Sequence, residues 1–266
     1  MGRAAGFLAL GIGKAAAATL TIIAEEFRGR PVSLDELCDI LLGAILKRRS
    51  QHSPFGVAVL AEGLIEAVGE RGLLAAVPAE ELGRYGKVER DEHGHLRLGE
   101  IAFGRLVKDR LAARLRAFQL AVTVVDKDLG YELRCADPIP FDAEYTRDLG
   151  YGAIQFLRSE AAGRFGALIS FADGRLKPLP FEDLIVPATG RMRPRKVQVE
   201  GEGYECARRY MIRLEPADFA EAERLALVAA AAGMSPEQFC QRFGSLAGRG
   251  VGPAAGSPGR RSVQAE

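Results

Sequence analysis

The sequence has no tryptophan, only 7% aromatic residues, three histidines and four cysteines. The cysteines form no CxxC pair and have no Cys/His spacing typical of zinc ligands, which argues against a zinc site and favours a cytoplasmic protein with reduced thiols. No apolar run reaches the roughly 18–20 residues needed to cross a bilayer. These absences exclude a zinc-finger module, a disulfide scaffold and a membrane-spanning protein.

The sequence also has no excess of charge of either sign. Lys and Arg number 36 against 35 Asp and Glu, so the net charge is +1. This balance argues against nucleic acid as a partner. The 266 residues are 48% hydrophobic and include 31 glycines, a composition typical of α/β enzymes with a sizeable core.

Hydrophobic periodicity predicts strands that alternate with helices. The strands are expected at 18–24, 55–61 and 120–125, with a hairpin at 165–179 that turns at 172–175. Ser33 and Glu36 form a capping-box signature that begins a helix through Leu46, which ends in the basic cluster Lys47-Arg48-Arg49. The alternation predicts an α/β fold with a parallel sheet covered on both faces. Further helices are expected at 4–17, 78–82, 101–118, 203–214, 217–232 and 236–246. Another helix is expected to begin at about 64, and one that follows the proline-rich segment 137–142 is expected to end at about 157.

The segment Gly11-Ile-Gly13-Lys-Ala-Ala16 has the GxGxxA pattern of a dinucleotide-binding loop. Such a loop follows a strand and begins a helix, whereas this segment lies within a helix that precedes a strand. We therefore favour close helix packing as the reason for the two glycines.

Three carboxylates and two arginines are placed where ligand-binding groups are common. Glu25 and Glu26 follow the first strand and Glu62 follows the second, at the carboxyl ends that bind ligands in α/β sheets. A solvated turn at Glu25 and Glu26, and a helix N-terminal acid at Glu62, explain them equally well. Arg3 and Arg134 lie at element edges, where a guanidinium suits bidentate capture of a phosphate.

Four segments, in order, resemble the 6-phosphofructokinases, especially the branch with pyrophosphate-dependent members. Met1-Gly2-Arg3 is similar to the family's Met-Gly-Arg substrate motif. The segment 19–27 resembles the strand that usually ends in Pro-Glu, with Ala24 in place of that proline. Gly56 to Glu62 resembles the strand whose terminal Glu binds sugar hydroxyls, and 130–142 resembles the Gly-His/Tyr-x-x-Arg block.

The resemblance implies a site for fructose 6-phosphate. Met1, Gly2 and Arg3 would line the sugar-phosphate pocket and Glu62 would hold sugar hydroxyls. Tyr131 and Arg134 would contact the 6-phosphate. Where ATP-dependent relatives carry an arginine before this block, the sequence has Val125, with Lys127 as the nearest cation, which favours the pyrophosphate branch.

The resemblance also implies that part of the enzyme is missing. The sequence has no Gly-Gly pair and no Thr-Ile-Asp block, so the catalytic aspartate, the donor-binding loop and the acids for Mg²⁺ with ATP or pyrophosphate are not found. We therefore expect an incomplete, phosphofructokinase-like αβα fold with parallel-sheet layers, truncated at its N-terminus. The expected function is the sugar-phosphate-binding half of a glycolytic, cytoplasmic phosphotransferase, and we do not expect this chain alone to catalyse transfer. The alternative is a non-catalytic regulatory subunit or an inactive fragment.

The same resemblance predicts the domain organisation and the partners. Residues 1–136 would form the fructose 6-phosphate domain, with an insertion around 84–118. Residues 137–200 would return to the donor domain and expose apolar surface in its absence, 201–247 would form C-terminal helices and 248–266 a disordered tail. A homo-oligomer, dimer or tetramer, is expected, with neither nucleic acid nor membrane as a partner.

Overall fold

The computed structural model describes residues 5–90, 92 and 96–247, which fall into two compact units. The first unit extends to Asp128 and resumes at Lys196, and the second is Leu129–Arg195. The chain therefore leaves the first unit once and returns to it. Met1, Gly2, Arg3 and the predicted tail at 248–266 lie outside the described residues.

The first unit contains a pair of strands surrounded by helices. The strands are β1 (Leu20–Ile22) and β2 (Ala58–Leu60). The helices of its first part are α1 (Phe7–Ala15), α2 (Leu34–Ser50), α3 (Leu64–Ala76), α4 (Ala79–Leu82) and α5 (Phe103–Ala117). Two segments between α4 and α5 approach each other through isolated bridges, Gly86 with Ile101 and Arg90 with Leu96. All of the helices predicted for this part of the chain are present.

The two strands are parallel, with Leu20 opposite Ala58 and Ile22 opposite Leu60. All three residues of β1 are buried, as its apolar sequence predicts. β2 differs from the prediction of a buried strand, because Ala58 is exposed and the preceding Phe55 and Val57 are 75% and 61% exposed. One edge of the parallel pair therefore faces outward in this chain.

The predicted strand at 120–125 is not part of a sheet among the described residues. Its odd and even positions alternate in exposure, and Leu120, Val122 and Val124 pack against the core. The alternating burial that predicted a strand is therefore present, but this segment does not pair with any described strand through backbone hydrogen bonds. The expected αβα layers of parallel strands are therefore reduced to one parallel pair within a mixed α/β fold.

The other edge of β1 is covered by a segment from the end of the chain. The Ile212 amide donates to the Thr19 carbonyl oxygen at 2.8 Å. Leu214 lies against α2 so closely that a Cβ on Gly43 would be 2.8 Å from its Cδ1. The residues after Lys196 therefore complete the core of the first unit.

Helix α2 is the central helix of this unit and packs against α3, α5 and the later helix α11 (Ala222–Ala231). The Ser33 hydroxyl caps it by accepting from the Glu36 amide at 3.0 Å, as predicted. The helix ends at Ser50, directly after the predicted basic cluster at 47–49. Within that cluster, the Lys47 ammonium donates to the Asp218 carboxylate at 2.7 Å.

The C-terminal part of the first unit is helical. Its helices are α9 (Glu202–Arg209), α10 (Pro216–Ala220), α11 (Ala222–Ala231) and α12 (Pro236–Phe243). Helix α12 begins at a full capping box between Ser235 and Gln238. Its rings Phe239 and Phe243 are fully buried, with centroids 4.8 Å apart. These aromatic contacts secure the end of the described chain to the core.

The second unit combines three helices with short antiparallel ladders. Asp173 and Gly174 have positive φ angles of 51° and 70°, the two-residue turn typical of a tight hairpin. Among its exposed apolar side chains are Phe141, Tyr151 and Leu157 on α7, as predicted for this region. Its elements are α6 (Tyr131–Cys135), α7 (Pro140–Leu157), α8 (Phe181–Leu184) and the pairs β3 (Ala167–Leu168) with β6 (Leu179–Pro180), β4 (Phe171–Ala172) with β5 (Arg175–Leu176), and β7 (Ile185–Val186) with β8 (Arg191–Met192).

The two glycines of the GxGxxA segment lie inside α1 and have different surroundings. A Cβ on Gly13 would be 1.9 Å from the Thr21 Oγ1 on β1, whereas a Cβ on Gly11 would meet nothing within 4 Å. Gly13 therefore permits close contact between α1 and β1, and packing rather than cofactor binding accounts for it.

This difference predicts opposite effects of the same substitution at two positions. Gly13→Ala should lower the free energy of unfolding by about 1–3 kcal/mol, the usual cost of overpacking a core. Gly11→Ala is the matched control and should raise it by about 0.5–1 kcal/mol, because alanine is the better helix former. Urea denaturation followed by circular dichroism measures both, and equal effects would contradict the packing described here.

Candidate functional site

The candidate carboxylates of the first unit lie at the carboxyl edge of the parallel pair, where both β1 and β2 end. β1 ends at Ile22 and β2 at Leu60, which are opposite each other in register. Glu25 and Glu26 follow β1 and Glu62 follows β2, so all three lie at the same edge, where α/β sheets bind ligands.

Helix α1 also begins at this edge. The Gly6 amide, at the N-cap of α1, donates to the Glu25 Oε1 at 2.9 Å. A Cβ on Gly6 would be only 2.6 Å from the Ile23 Cβ. The N-terminus of α1 is therefore fixed against the carboxyl end of β1 by one hydrogen bond and one close contact.

Glu62 is exposed on a fixed backbone. The neighbouring Ala61 amide donates to the Ile22 carbonyl oxygen at 2.9 Å, and the Ile65 amide donates to the Glu62 carbonyl oxygen at 3.4 Å. Gly63 is the N-cap of α3. This arrangement places an accessible acceptor at the sheet edge, as binding to sugar hydroxyls requires.

Glu25 is buried, with only 3% of its surface exposed, so the interpretation of this position as a solvated turn is wrong. Its Oε1 accepts from two amides, Gly6 at 2.9 Å and Val197 at 3.0 Å. Its Oε2 has no hydrogen-bond partner among the described residues. The reason for the burial is that residues from the end of the chain cover this turn.

Glu26 forms a buried ion pair with Arg213. The guanidinium donates to both carboxylate oxygens, at 2.6 Å and 3.0 Å, and also to the Thr21 carbonyl oxygen at 2.5 Å. The side chains of Arg213 and Glu26 are 5% and 2% exposed. Burial alone would lower the pKa of Arg213, but the charge of Glu26 outweighs it and raises that pKa. The same burial, with the Glu26 charge, raises the pKa of the Tyr204 hydroxyl.

Sequence reasoning missed Arg213. A signal was present, because this arginine is enclosed by apolar residues in Met-Ile-Arg-Leu at 211–214, and a cation in such a run is buried only when it is paired. The pattern does not say which of the chain's many carboxylates is the partner.

The remaining predicted site residues are distributed as follows. Met1, Gly2 and Arg3 lie outside the described residues, three positions and more before Gly6. Tyr131 and Arg134 lie in α6 of the second unit. Glu62 is in the first unit, so the assembly of these six residues into one pocket stays a prediction.

A cavity of about 250 Å³ lies beside the other end of α1. No residue predicted to bind the sugar phosphate is among its lining residues, which are Gly13, Lys14, Ala17, Ala18, Thr21, Ala207, Tyr210 and Met211. It is therefore distinct from the carboxyl edge at which Glu62 lies.

In the part of the chain that the structure describes, no group of three or more His, Cys, Asp or Glu side chains is placed to hold a metal ion. Burial raises the pKa of the Cys38 thiol to about 12, which makes it a poor nucleophile. Among residues 5–90, 92 and 96–247, no helix is long and apolar enough to cross a membrane.

Comparison with known proteins finds close relatives. The chain is 46% identical over 243 residues to a pyrophosphate–fructose 6-phosphate 1-phosphotransferase of Thermotoga maritima, a match that covers 91% of this chain and 56% of the relative. It is 44% identical over 250 residues to the enzyme of the same name from Naegleria fowleri, covering 91% and 55%. A beta subunit of this enzyme from Arabidopsis thaliana is 26% identical over 253 residues, with 76% and 43% covered.

The chain thus spans about half the length of the curated relatives that it matches. No protein-family model matches it.

The ion pair behind the carboxyl edge leads to a prediction about stability. Arg213→Met should lower the free energy of unfolding by about 3–5 kcal/mol, because it leaves the Glu26 carboxylate buried without its cation. Guanidinium denaturation measures the loss.

The double variant Glu26→Gln with Arg213→Met is the control for the charge. It should recover more than half of the loss, since the glutamine carbonyl can still accept from the Ile23 amide that Glu26 now binds at 3.1 Å. A loss below about 1 kcal/mol in the single variant, the range of a surface pair, would contradict the burial of this interaction.

Proposed function

Because the chain belongs to the 6-phosphofructokinase family, we propose that it forms the fructose 6-phosphate-binding part of a pyrophosphate-dependent phosphotransferase. The reaction transfers a phosphoryl group from pyrophosphate to the 1-hydroxyl of fructose 6-phosphate. The similarity at 46% identity across 91% of the chain to a relative of that name carries this proposal. The placement of Glu62 at the carboxyl edge of the parallel pair supports it.

Each predicted residue has a role that suits its chemistry. The Glu62 carboxylate accepts hydrogen bonds from sugar hydroxyls, and the backbone bonds on either side hold it at the sheet edge. Arg134 presents a planar fork of donors to the 6-phosphate, and the Tyr131 hydroxyl adds a further donor. Met1, Gly2 and Arg3, which precede α1, complete the pocket.

We infer that the residues that bind the phosphoryl donor, pyrophosphate with Mg²⁺, are not among the residues predicted to bind the sugar phosphate. Phosphoryl transfer depends on Mg²⁺ and on groups that orient the pyrophosphate. The described residues offer no cluster of three ligands for that ion, and the sequence has no Gly-Gly pair or Thr-Ile-Asp block. We therefore place the donor site, for Mg²⁺ with pyrophosphate, in the part of the relatives that this chain does not cover.

The exposed apolar side chains of the second unit support the same division. Ile139, Phe141, Tyr151 and Leu157 are 59–66% exposed, and an apolar surface of this kind usually packs against further polypeptide. We infer that the donor-binding polypeptide covers it, and that the complete enzyme is a homo-oligomer. The beta-subunit names of plant relatives support an assembly of several chains.

Isothermal titration calorimetry with fructose 6-phosphate tests the proposal. The chain should bind this sugar phosphate more tightly than fructose, because only the phosphate engages Arg134. Arg134→Ala should weaken binding by about 1.5–3 kcal/mol, the scale of hydrogen bonds to a charged group.

Arg224→Ala is the control for loss of one positive charge. Arg224 is on α11, where it pairs with the exposed Glu221 at 2.6 Å, and its removal should leave the affinity unchanged. No binding of fructose 6-phosphate at millimolar concentration would overturn the proposal, and equal loss in both variants would remove Arg134 from the pocket.

A further inference from the structure

We infer that Arg213 is a positioning residue for sugar-phosphate binding: its buried guanidinium fixes the carboxyl end of β1, and through β1 the backbone that carries Glu62. This inference rests on the proposed function for the role of Glu62 as an acceptor for sugar hydroxyls. It does not rest on the proposed function for the hydrogen bonds themselves.

The ion pair between Arg213 and Glu26 binds the backbone of β1 on both sides of Ile22. The guanidinium donates to the Thr21 carbonyl oxygen at 2.5 Å. The Glu26 Oε1, which accepts from the same guanidinium at 3.0 Å, also accepts from the Ile23 amide at 3.1 Å. Ile22, between these two bonds, is therefore held in place by the pair.

Ile22 is also the residue to which the end of β2 is bonded. Its carbonyl oxygen accepts from the Ala61 amide at 2.9 Å, and it lies opposite Leu60 in the register of the parallel pair. Ala61 directly precedes Glu62. The backbone next to Glu62 is thus bonded to the one residue that the ion pair encloses.

No second strand holds β2 in the part of the chain that the structure describes. The sheet that contains β2 has two strands, β1 and β2. Ala58, at the start of β2, is exposed. Among the described strands, β1 alone determines where β2 ends, so a shift at the carboxyl end of β1 should reach Glu62.

Stability alone does not account for a charged pair behind this edge. The side chains of Arg213 and Glu26 are 5% and 2% exposed, and a buried ion pair often stabilises a fold no more than apolar residues of the same volume. Apolar side chains could not bond to the Thr21 carbonyl oxygen or to the Ile23 amide. The planar fork of a guanidinium forms several directed bonds at once, which favours fixed geometry at the end of β1.

Two variants separate positioning from stability. Arg213→Met should weaken fructose 6-phosphate binding about tenfold, equivalent to ~1.4 kcal/mol, measured by calorimetry. The double variant Glu26→Gln with Arg213→Met leaves no buried charge unpaired, so it should regain more than half of the lost stability. Its affinity should nevertheless stay at least about fivefold below that of the unchanged chain, because no guanidinium donates to the Thr21 carbonyl oxygen.

Phe239→Leu is the control for a loss of stability elsewhere in the first unit. The Phe239 ring is fully buried and packs against the rings of Phe219 and Phe243. Its truncation should lower the free energy of unfolding and leave the affinity unchanged. If Arg213→Met does not fold, the double variant and Phe239→Leu carry the comparison.

Amide hydrogen exchange, measured by NMR without ligand, supplies a second readout with an internal reference. The Ala61 amide donates to Ile22 at the carboxyl end of the parallel pair, and the Leu20 amide donates to the Val57 carbonyl oxygen at the other end. In the double variant, exchange at Ala61 should accelerate more than exchange at Leu20. A general loss of stability, as in Phe239→Leu, should accelerate both equally.

The outcomes distinguish this inference from the proposed function. Absence of fructose 6-phosphate binding by the unchanged chain would overturn the proposed function, while exchange at Ala61 would still decide whether Arg213 fixes this edge. Recovery of affinity together with stability in the double variant would overturn the positioning role. An equal loss of affinity in Phe239→Leu, or equal acceleration at Ala61 and Leu20 in the double variant, would overturn it as well.

Discussion

The ion pair between Glu26 and Arg213 joins two stretches of chain that are 187 residues apart. It lies directly behind the carboxyl end of β1, and the same guanidinium also donates to the Thr21 carbonyl oxygen within that strand. Because both charges are buried, neither side chain can be accommodated without the other. The returning segment therefore stabilises β1, and β1 is the strand against which α1 and β2 are placed.

The neighbouring Glu25 also contacts the returning segment, because its carboxylate accepts from the Val197 amide. In this turn Glu26 pairs with a cation, whereas Glu25 accepts from backbone amides. The carboxyl edge of the sheet is thus built by residues from the beginning, the middle and the end of the first unit. Glu62 is exposed at the same edge, so the buried charges of Glu25 and Glu26 provide the framework beside which this carboxylate lies.

Local sequence patterns predicted most helices and both paired strands, because periodicity and capping residues act over a few positions. Ser33 and the Asp173-Gly174 turn are examples in which one or two residues determine the local geometry. The extended segment at 120–125 was predicted as a strand, since alternation reports half-burial but not the presence of a pairing partner. Arg213 and the burial of Glu25 were missed because both depend on contacts across more than 170 residues. Positions at strand ends and element edges singled out Glu62, Arg3 and Arg134, whereas Met1, Gly2 and Tyr131 came only from the resemblance of ordered motifs.

The central claim is that the carboxyl edge of β1 and β2 binds a sugar phosphate. The most direct measurement is the set of backbone amide chemical-shift changes that fructose 6-phosphate causes in the NMR spectrum of the labelled chain. We predict the largest changes at Glu62 and Gly63, at the start of α1 and in α6 around Arg134. Changes confined to the cavity near Lys14 and Tyr210, or none in any of the three predicted regions, would contradict the account.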